Sequence, residues 1–206
     1  MYRKIATALT VIFQPLIVPS IVISLLFYVI PESTSVPNEA KWSLLLLIVV
    51  TTLIIPMFSM IGMRMTSLIP SIYMFNKGER VLPFTMVSIF YLITSGFFYF
   101  KLNVDALFVY TLIVITVCVL VLTLITLFWR ISAHTTGLAG LLAIIGVLAL
   151  KFTNESLLYP LIGSVLICGA VGSARLYLGA HKPMEVAGGF LLGFSICFTA
   201  FYLFLF

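Results

Sequence analysis

Charged residues are scarce in this sequence. Only 8% of the 206 residues are charged, against about 25% in an ordinary soluble domain, and 63% are hydrophobic. Eleven Lys and Arg against six Asp and Glu give a net charge of +5, which is too thinly spread for a nucleic-acid-binding surface. These shortages exclude a soluble globular enzyme, a disordered chain and a nucleic-acid binder. The composition indicates an integral membrane protein.

Cysteine is also scarce, and its placement is uninformative about chemistry. Cys118, Cys168 and Cys197 each lie inside a long hydrophobic run. Three thiols without close spacing predict neither a disulfide framework nor a zinc site, so we interpret them as small hydrophobic residues of membrane spans. A small-residue cleavage site is missing after the basic N-terminus, which favours a first span over a removed leader.

Hydrophobic runs of about 20 residues, the length of a membrane-crossing helix, recur along the chain. They cover residues 5–29, 42–62, 83–100, 106–128, 134–150, 157–176 and 184–206. Because the runs are continuous rather than alternating, they favour helices over barrel strands. We therefore expect one all-α membrane domain over 1–206, a bundle of seven helices. Pro15 and Pro19 predict a kink or break in the first run, and a re-entrant segment there would reduce the count to six.

The loops separate into two faces if seven spans alternate. Eight of the eleven basic residues fall on the face of the N-terminus: Arg3, Lys4, Arg64, Lys77, Arg80, Arg130, Arg175 and Lys182. The opposite face holds Lys41, Lys101 and Lys151 with Glu32, Glu39, Asp105 and Glu155. The positive-inside rule would make the first face cytoplasmic. Setting aside Lys182 and the candidate anion ligands leaves three basic residues on each face, so the orientation stays open. The connection from Arg64 to Leu82 is expected to begin with a segment along the membrane interface.

The only two histidines are predicted to lie at the same membrane edge. His134 opens the fifth span and His181 precedes the seventh, so each is beside a helix N-terminus, which favours bound anions. Glu185 follows His181 by four residues, and on a helix this spacing would place its carboxylate beside the imidazole. Arg175 lies six residues before His181, and its planar fork suits two phosphate oxygens. Arg130 is equally consistent with membrane anchoring and with phosphate contact.

These residues resemble the signatures of the type-2 phosphatidic acid phosphatases, the integral-membrane lipid phosphate phosphatases. The segment from Arg175 through His181 to Glu185 is similar to the third signature, S-R-x5-H-x3-D, with Glu in place of Asp. Ser-Ala-His at 132–134 is similar to the second, P-S-G-H, and residues 77–83 loosely match the first, K-x6-R-P. The order is that of the family, and the Gly-rich ending resembles small bacterial members.

The resemblance implies a metal-independent phosphatase, without a cofactor, that forms a phosphohistidine. His181 would attack phosphorus, Glu185 would orient it and His134 would protonate the leaving oxygen. The implied substrate-binding residues are Arg175, Lys77, Arg80, Ser132 and Arg130. The implied partner is a lipid phosphate in the bilayer, such as undecaprenyl pyrophosphate, phosphatidylglycerol phosphate, phosphatidic acid or lipid A phosphate, among which the sequence does not choose. A bacterial inner membrane is the expected location.

Two other interpretations use the same cationic cluster. A transporter or lipid-phosphate-binding protein would hold an anion without turnover, since charges within membrane segments also mark transport pathways. A degenerate family member would bind lipid phosphate after losing turnover through its altered motif residues. A carrier has no need of a histidine–carboxylate pair together with a second histidine, which favours the enzyme.

Overall fold

The computed structural model of the chain describes residues 1–70, 77–102, 104–153 and 157–206, without the side chain of Lys77. Within these ranges the regular structure is helical, with no strand. The α-helices are α1 (Tyr2–Ile12), α2 (Val18–Tyr28), α3 (Asn38–Val49), α4 (Ile55–Met65), α5 (Lys77–Phe97), α6 (Ala106–Thr126), α7 (Ala133–Lys151), α8 (Leu158–Tyr177) and α9 (Pro183–Leu205). Short 3₁₀ turns occupy Pro15–Ile17 and Pro31–Ser33, and π-helical segments occupy Val50–Ile54 and Phe98–Leu102.

Seven helical segments of the described ranges are long and apolar enough to cross a membrane. They are Tyr2–Tyr28, Asn38–Met65, Gly78–Leu102, Ala106–Thr126, Ala133–Lys151, Leu158–Tyr177 and Pro183–Leu205. The second segment is continuous because the π-helical segment joins α3 to α4. The prediction of an all-α integral membrane bundle with seven spans is confirmed.

The start of the third span differs from the prediction. We expected a connection up to Leu82, but α5 begins at Lys77, so Arg80 lies on its first turns. A polar turn can extend a membrane helix beyond the hydrocarbon core, and a hydrophobicity pattern does not register such an extension. The predicted interfacial segment, the first half of this connection, continues into residues 71–76, which lie outside the described residues.

The first span is broken beside Pro15, as predicted. Gln14 has extended backbone, with φ −66° and ψ 147°, because a residue before proline is disfavoured from the helical region. In an unbroken helix the N–H of Gln14 would donate to the carbonyl of Thr10, so the break leaves that carbonyl without its usual helical donor. The two parts also have different neighbours: α1 packs against α8, whereas α2 packs against α3, α6 and α7.

Helix α7, which carries His134, and helix α9, which follows His181, form the most extensive helix pair of the described chain. Gly189 and Gly193 of α9 face the first turns of α7. A Cβ atom at Gly189 would lie 2.6 Å from the carbonyl oxygen of Ser132, and one at Gly193 would collide with the carbonyl of Thr136. Small residues four positions apart allow such close helix packing in membranes. The N-terminal ends of both helices are thereby held side by side.

We predict that Gly193→Ala lowers the thermal unfolding midpoint. The added methyl group would meet the backbone of Thr136, and overpacking of a tight interface costs roughly 1–3 kcal/mol. Gly169→Ala is the matched control, because a Cβ atom at Gly169 has no neighbour within 4 Å. Thermal unfolding of both variants in detergent, followed by tryptophan fluorescence, provides the measurement. Equal midpoints for the two variants would contradict the close contact.

Candidate functional site

The loop before α9 carries His181, and the way α8 ends determines its position. Gly179 adopts a left-handed backbone with φ +64°. The N–H of Gly179 donates to the carbonyl of Leu176 and that of Ala180 to the carbonyl of Arg175. This is the Schellman pattern of a helix C-terminus, with glycine at its usual position. It turns the chain sharply after Arg175, so that His181 returns to the same end of the bundle.

The ring of His181 is buried and oriented by two acceptors. Its Nδ1 atom lies 2.9 Å from Oε2 of Glu185 and 3.2 Å from the carbonyl oxygen of Arg130. Because a carboxylate and a carbonyl only accept hydrogen bonds, Nδ1 must carry the proton. In the neutral ring the lone pair is therefore on Nε2.

The predicted contact between His181 and Glu185 is present, but its predicted geometry was wrong. His181 precedes α9 and does not share a helical face with Glu185. Instead, Glu185 is the third residue of α9, and its carboxylate reaches back to accept the N–H of Lys182 at 3.0 Å. This is the return contact of a capping box. One carboxylate oxygen thus caps the helix and holds the imidazole.

The surroundings of His181 favour its neutral form. Burial, together with the positive charges of Arg80 and Arg175, lowers the pKa of His181 to about 4, while the hydrogen bond that the ring donates to Glu185 acts in the opposite direction. The ordinary value for histidine is about 6.5. At neutral pH the ring is consequently uncharged, with its Nε2 lone pair available.

Two arginines tie the loops of the site together. Nη1 of Arg80 donates to the carbonyl of Ile131 at 3.3 Å, which links the first turns of α5 to the loop between α6 and α7. Nη2 of Arg130 donates to the carbonyl of Ala180 at 2.9 Å, and its Nε lies 3.5 Å from Oε2 of Glu185. The sequence is equally consistent with membrane anchoring and with phosphate contact for Arg130. In the structure Arg130 contacts both the loop of His181 and the carboxylate of Glu185.

Two further polar groups of the site lack protein partners in the described part of the chain. The hydroxyl oxygen of Ser132 and the Nε atom of Arg175 are both buried, and neither has a hydrogen-bond partner there. Ser132 is the N-cap residue of α7, yet its hydroxyl does not cap the helix. Buried donors of this kind are costly unless they are satisfied. Both are suited to donate to an anion.

His134 is the second residue of α7, and its ring forms a hydrogen bond with α1. Its Nε2 atom lies 3.0 Å from the carbonyl oxygen of Thr10, the carbonyl that the break before Pro15 exposes. Since a carbonyl only accepts, Nε2 of His134 carries a proton. His134 also lies within electrostatic range of Arg175, His181 and Arg80.

The described residues of the predicted site lie together at one end of the bundle. His181, Glu185, Arg130, Arg80 and Ile131 are joined by the contacts above, and Arg80, Arg130 and Arg175 lie within electrostatic range of one another. Ser132 joins the cluster through its backbone N–H, which donates to the carbonyl of Glu185 at 3.1 Å. We refer to His134, His181, Glu185, Arg80, Arg130, Arg175 and Ser132 as the polar cluster. The side chain of Lys77 lies outside the described residues.

The contribution of α1 was not predicted from the sequence. Thr10 acts through its backbone carbonyl, and a carbonyl has no signature in a sequence. The signal that was present is Pro15, which indicates a helix break just before it, four to five residues after Thr10, and therefore exposed carbonyls in the preceding turn. Among the described residues, no group of three or more His, Cys, Asp or Glu side chains is placed to hold a metal ion.

The opposing effects of Arg80 and Glu185 on His181 can be measured. We predict that Arg80→Gln raises the pKa of His181 from about 4, and that Glu185→Gln lowers it, because the first change removes a repelling cation and the second an attracting anion. Nitrogen-15 NMR of labelled histidine in micelles reports both. Because the pKa of His181 is lower in the folded protein than in the unfolded chain, the neutral ring contributes to stability above about pH 6.5. This contribution is lost as the pH falls through about 4. Shifts of the same sign in both variants would contradict the assigned contacts.

Comparison with known proteins identifies no relative: no protein-family model, no curated protein and no solved structure matches this chain. The resemblance to lipid phosphatases therefore depends on the three motifs and on the contacts among their residues.

Proposed function

We propose that this membrane protein is a phosphatase that hydrolyses the phosphate monoester or the pyrophosphate of a lipid. The observation that supports this most is the state of His181: its Nδ1–H is held by Glu185, which leaves the Nε2 lone pair free, while Arg80 and Arg175 lie within electrostatic range of the ring. A buried, oriented and neutral imidazole is a suitable nucleophile. Neighbouring guanidinium groups suit the charge of a phosphoryl group.

In the first chemical step, Nε2 of His181 forms a bond to phosphorus while the bond from phosphorus to the leaving oxygen breaks. His134, protonated at Nδ1 once the negatively charged phosphate is bound beside it, gives that proton to the leaving oxygen. For a monoester the leaving group is a lipid alcohol, and for a pyrophosphate it is a lipid monophosphate. Glu185 stabilises the positive charge that the phosphorylated ring of His181 acquires.

In the second step, water attacks phosphorus and the phosphorus–nitrogen bond breaks. His134 takes a proton from this water, so that both histidines return to their starting states and inorganic phosphate leaves. Because Nε2–H of His134 donates to the carbonyl of Thr10, Nδ1 is the nitrogen that exchanges the proton. The bond to Thr10 persists in both protonation states and keeps the ring in place.

The remaining residues of the polar cluster bind the phosphoryl oxygens. Transfer of a phosphoryl group requires mainly positioning and stabilisation of spread negative charge. Arg175 through its Nε, Ser132 through its hydroxyl and Arg80 supply donors for this purpose. A site at the end of a membrane bundle suits a substrate whose headgroup is polar and whose tail stays apolar. With the resemblance to small bacterial enzymes, this favours a bacterial inner membrane.

We predict that His181→Ala abolishes phosphate release from dodecyl phosphate, with a loss on the order of 10³-fold or more, as expected for removal of a nucleophile. Release by the wild-type protein should persist in EDTA, since arginines supply the positive charge. Met184→Ala is the control, because Met184 lies three residues further on and is 71% exposed. Rapid quenching should trap an acid-labile, alkali-stable phosphoenzyme only when His181 is present.

Three results would contradict this assignment. They are full activity of His181→Ala, a strict metal requirement, and a phosphoenzyme that forms without His181. Binding of dodecyl phosphate by the wild-type protein without any release of phosphate would indicate the carrier or lipid-binding alternative instead.

His134 can be tested separately through the leaving group. We predict that His134→Gln slows hydrolysis of dodecyl phosphate by roughly 10²–10⁴-fold, the usual contribution of a general acid. Hydrolysis of p-nitrophenyl phosphate should slow much less, because nitrophenolate leaves without a proton. Single-turnover rates with both substrates give the comparison. Equal losses on the two substrates would assign His134 a role in holding the fold or the phosphate rather than in proton transfer.

A further inference from the structure

Two of the three cysteines meet inside the bundle, although they are distant in the sequence. Cys118 of α6 and Cys197 of α9 are both buried, and their thiol groups interact, so that the S–H of one can donate to the sulfur of the other. We refer to these two residues as the thiol pair. Gly140 of α7 leaves room for the sulfur of Cys197, since a Cβ atom there would lie 3.0 Å from it. Cys168, on α8, is also buried but takes no part in this contact.

A small cavity of about 50 Å³ borders both members of the thiol pair. It lies between the start of α2 and helices α5, α6, α7 and α9, and its wall is almost entirely apolar. One water molecule needs roughly 10–15 Å³ of such space, so the cavity admits a molecule of a few heavy atoms. Because an apolar wall disfavours charge, a reactant that reaches the sulfur atoms through this space must be both small and uncharged.

We propose that the thiol pair is an oxidation site, at which a small uncharged peroxide such as hydrogen peroxide forms a disulfide between α6 and α9. In the first step one sulfur attacks the peroxide, the O–O bond breaks, the sulfur becomes a sulfenic acid and one water leaves. In the second step the other sulfur attacks the sulfenic sulfur, the S–S bond forms and a second water leaves. Two thiols are thereby oxidised by two electrons, and hydrogen peroxide is reduced to two water molecules.

The contact between the two thiols favours both steps. The attacking sulfur develops negative charge, and a hydrogen bond from the neighbouring S–H stabilises this charge. The second thiol then lies beside the sulfenic acid and captures it before further oxidation. The thiols, the peroxide, the disulfide and the water are all uncharged, so the overall reaction leaves no charge in apolar surroundings. Cys168 lacks the contact with a second thiol and therefore cannot complete the sequence.

The disulfide would close a ring of the chain that runs from Cys118 to Cys197. This ring contains α7, α8 and every member of the polar cluster except Arg80. The bond would join the middle of α9 covalently to α6, in addition to the packing of α9 on α7. A cross-link that closes a long loop restricts the unfolded chain, so we expect the oxidised protein to resist unfolding better than the reduced protein.

Oxidation of the purified wild-type protein in dodecyl maltoside micelles tests the proposal. After treatment with hydrogen peroxide the protein is denatured, its remaining thiols are alkylated, and mass spectrometry identifies the state of each cysteine. We expect a disulfide between Cys118 and Cys197, whose thiols should disappear roughly tenfold faster than that of Cys168, because Cys168 has no thiol to resolve a sulfenic acid. Tetrathionate, an oxidant with two negative charges, should leave all three thiols free.

Two serine variants form a matched pair for this experiment. Cys168→Ser should form the disulfide as the wild type does. Cys197→Ser should stop at the sulfenic acid of Cys118, which dimedone traps. The thermal unfolding midpoint gives a second readout: peroxide should raise it by several degrees in the wild type and in Cys168→Ser, dithiothreitol should reverse the rise, and Cys197→Ser should show none. None of these measurements uses a phosphate ester, so their outcome is independent of the proposed function.

Four results would overturn the proposal. They are three thiols that all stay free in peroxide, loss of all three thiols at one rate, disulfides that include Cys168 or link two chains, and oxidation by tetrathionate as fast as by peroxide. A disulfide between Cys118 and Cys197 that leaves the unfolding midpoint unchanged would overturn the stabilising link between α6 and α9.

Discussion

The close approach of α9 to the first turns of α7 is the constraint on which the site depends. It requires that α9 present glycine at positions 189 and 193 where it crosses α7. It is reinforced by two bonds between the helix ends: Ser132 donates its N–H to the carbonyl of Glu185, and the hydroxyl of Thr135 donates to the carbonyl of Val186 at 3.2 Å. This contact holds the loop of His181 next to the start of α7.

Backbone carbonyls do much of the positioning within this frame. Those of Arg130, Ile131, Ala180 and Thr10 accept from His181, Arg80, Arg130 and His134 in turn. A carbonyl orients a cation or an imidazole without neutralising it, whereas a carboxylate would cancel its charge. The polar cluster holds three arginines and one acid, Glu185, which contacts Arg130 and His181, and Glu79 lies within electrostatic range of Arg80. The excess of positive charge is therefore preserved for an anion from outside the protein.

The sequence predicted the framework of the molecule well because membrane spans follow from length and composition alone. The seven hydrophobic runs correspond to seven membrane-spanning helical segments, and Pro15 marks the break in the first. The sequence also predicts that His181 lies beside Glu185, on the assumption that both residues share one face of a helix. The contact instead arises from the turn that precedes the helix. Spacing reports which residues are neighbours along the chain; it does not report how a capping turn folds.

Other parts could not have been predicted from one sequence. The partner of His134 is a carbonyl of α1, 124 residues away in the chain, and the partners of Arg80 and Arg130 are carbonyls of distant loops. Such contacts depend on tertiary placement and not on the identity of the accepting residue. The polar start of α5 was missed for a related reason, since helix formation there does not follow hydrophobicity.

The break before Pro15 makes α1 a separable piece of the protein. Its hold on His134 passes through one carbonyl in its last turns, and its main helical neighbour is α8. Anything that displaces α1 from α8, such as a bulky affinity tag on Met1, acts on His134 while leaving the six spans after the first untouched. Purified protein can in this way keep its helical content and still have a misplaced histidine, so a tag on the C-terminal end of α9 is the sounder choice for functional work.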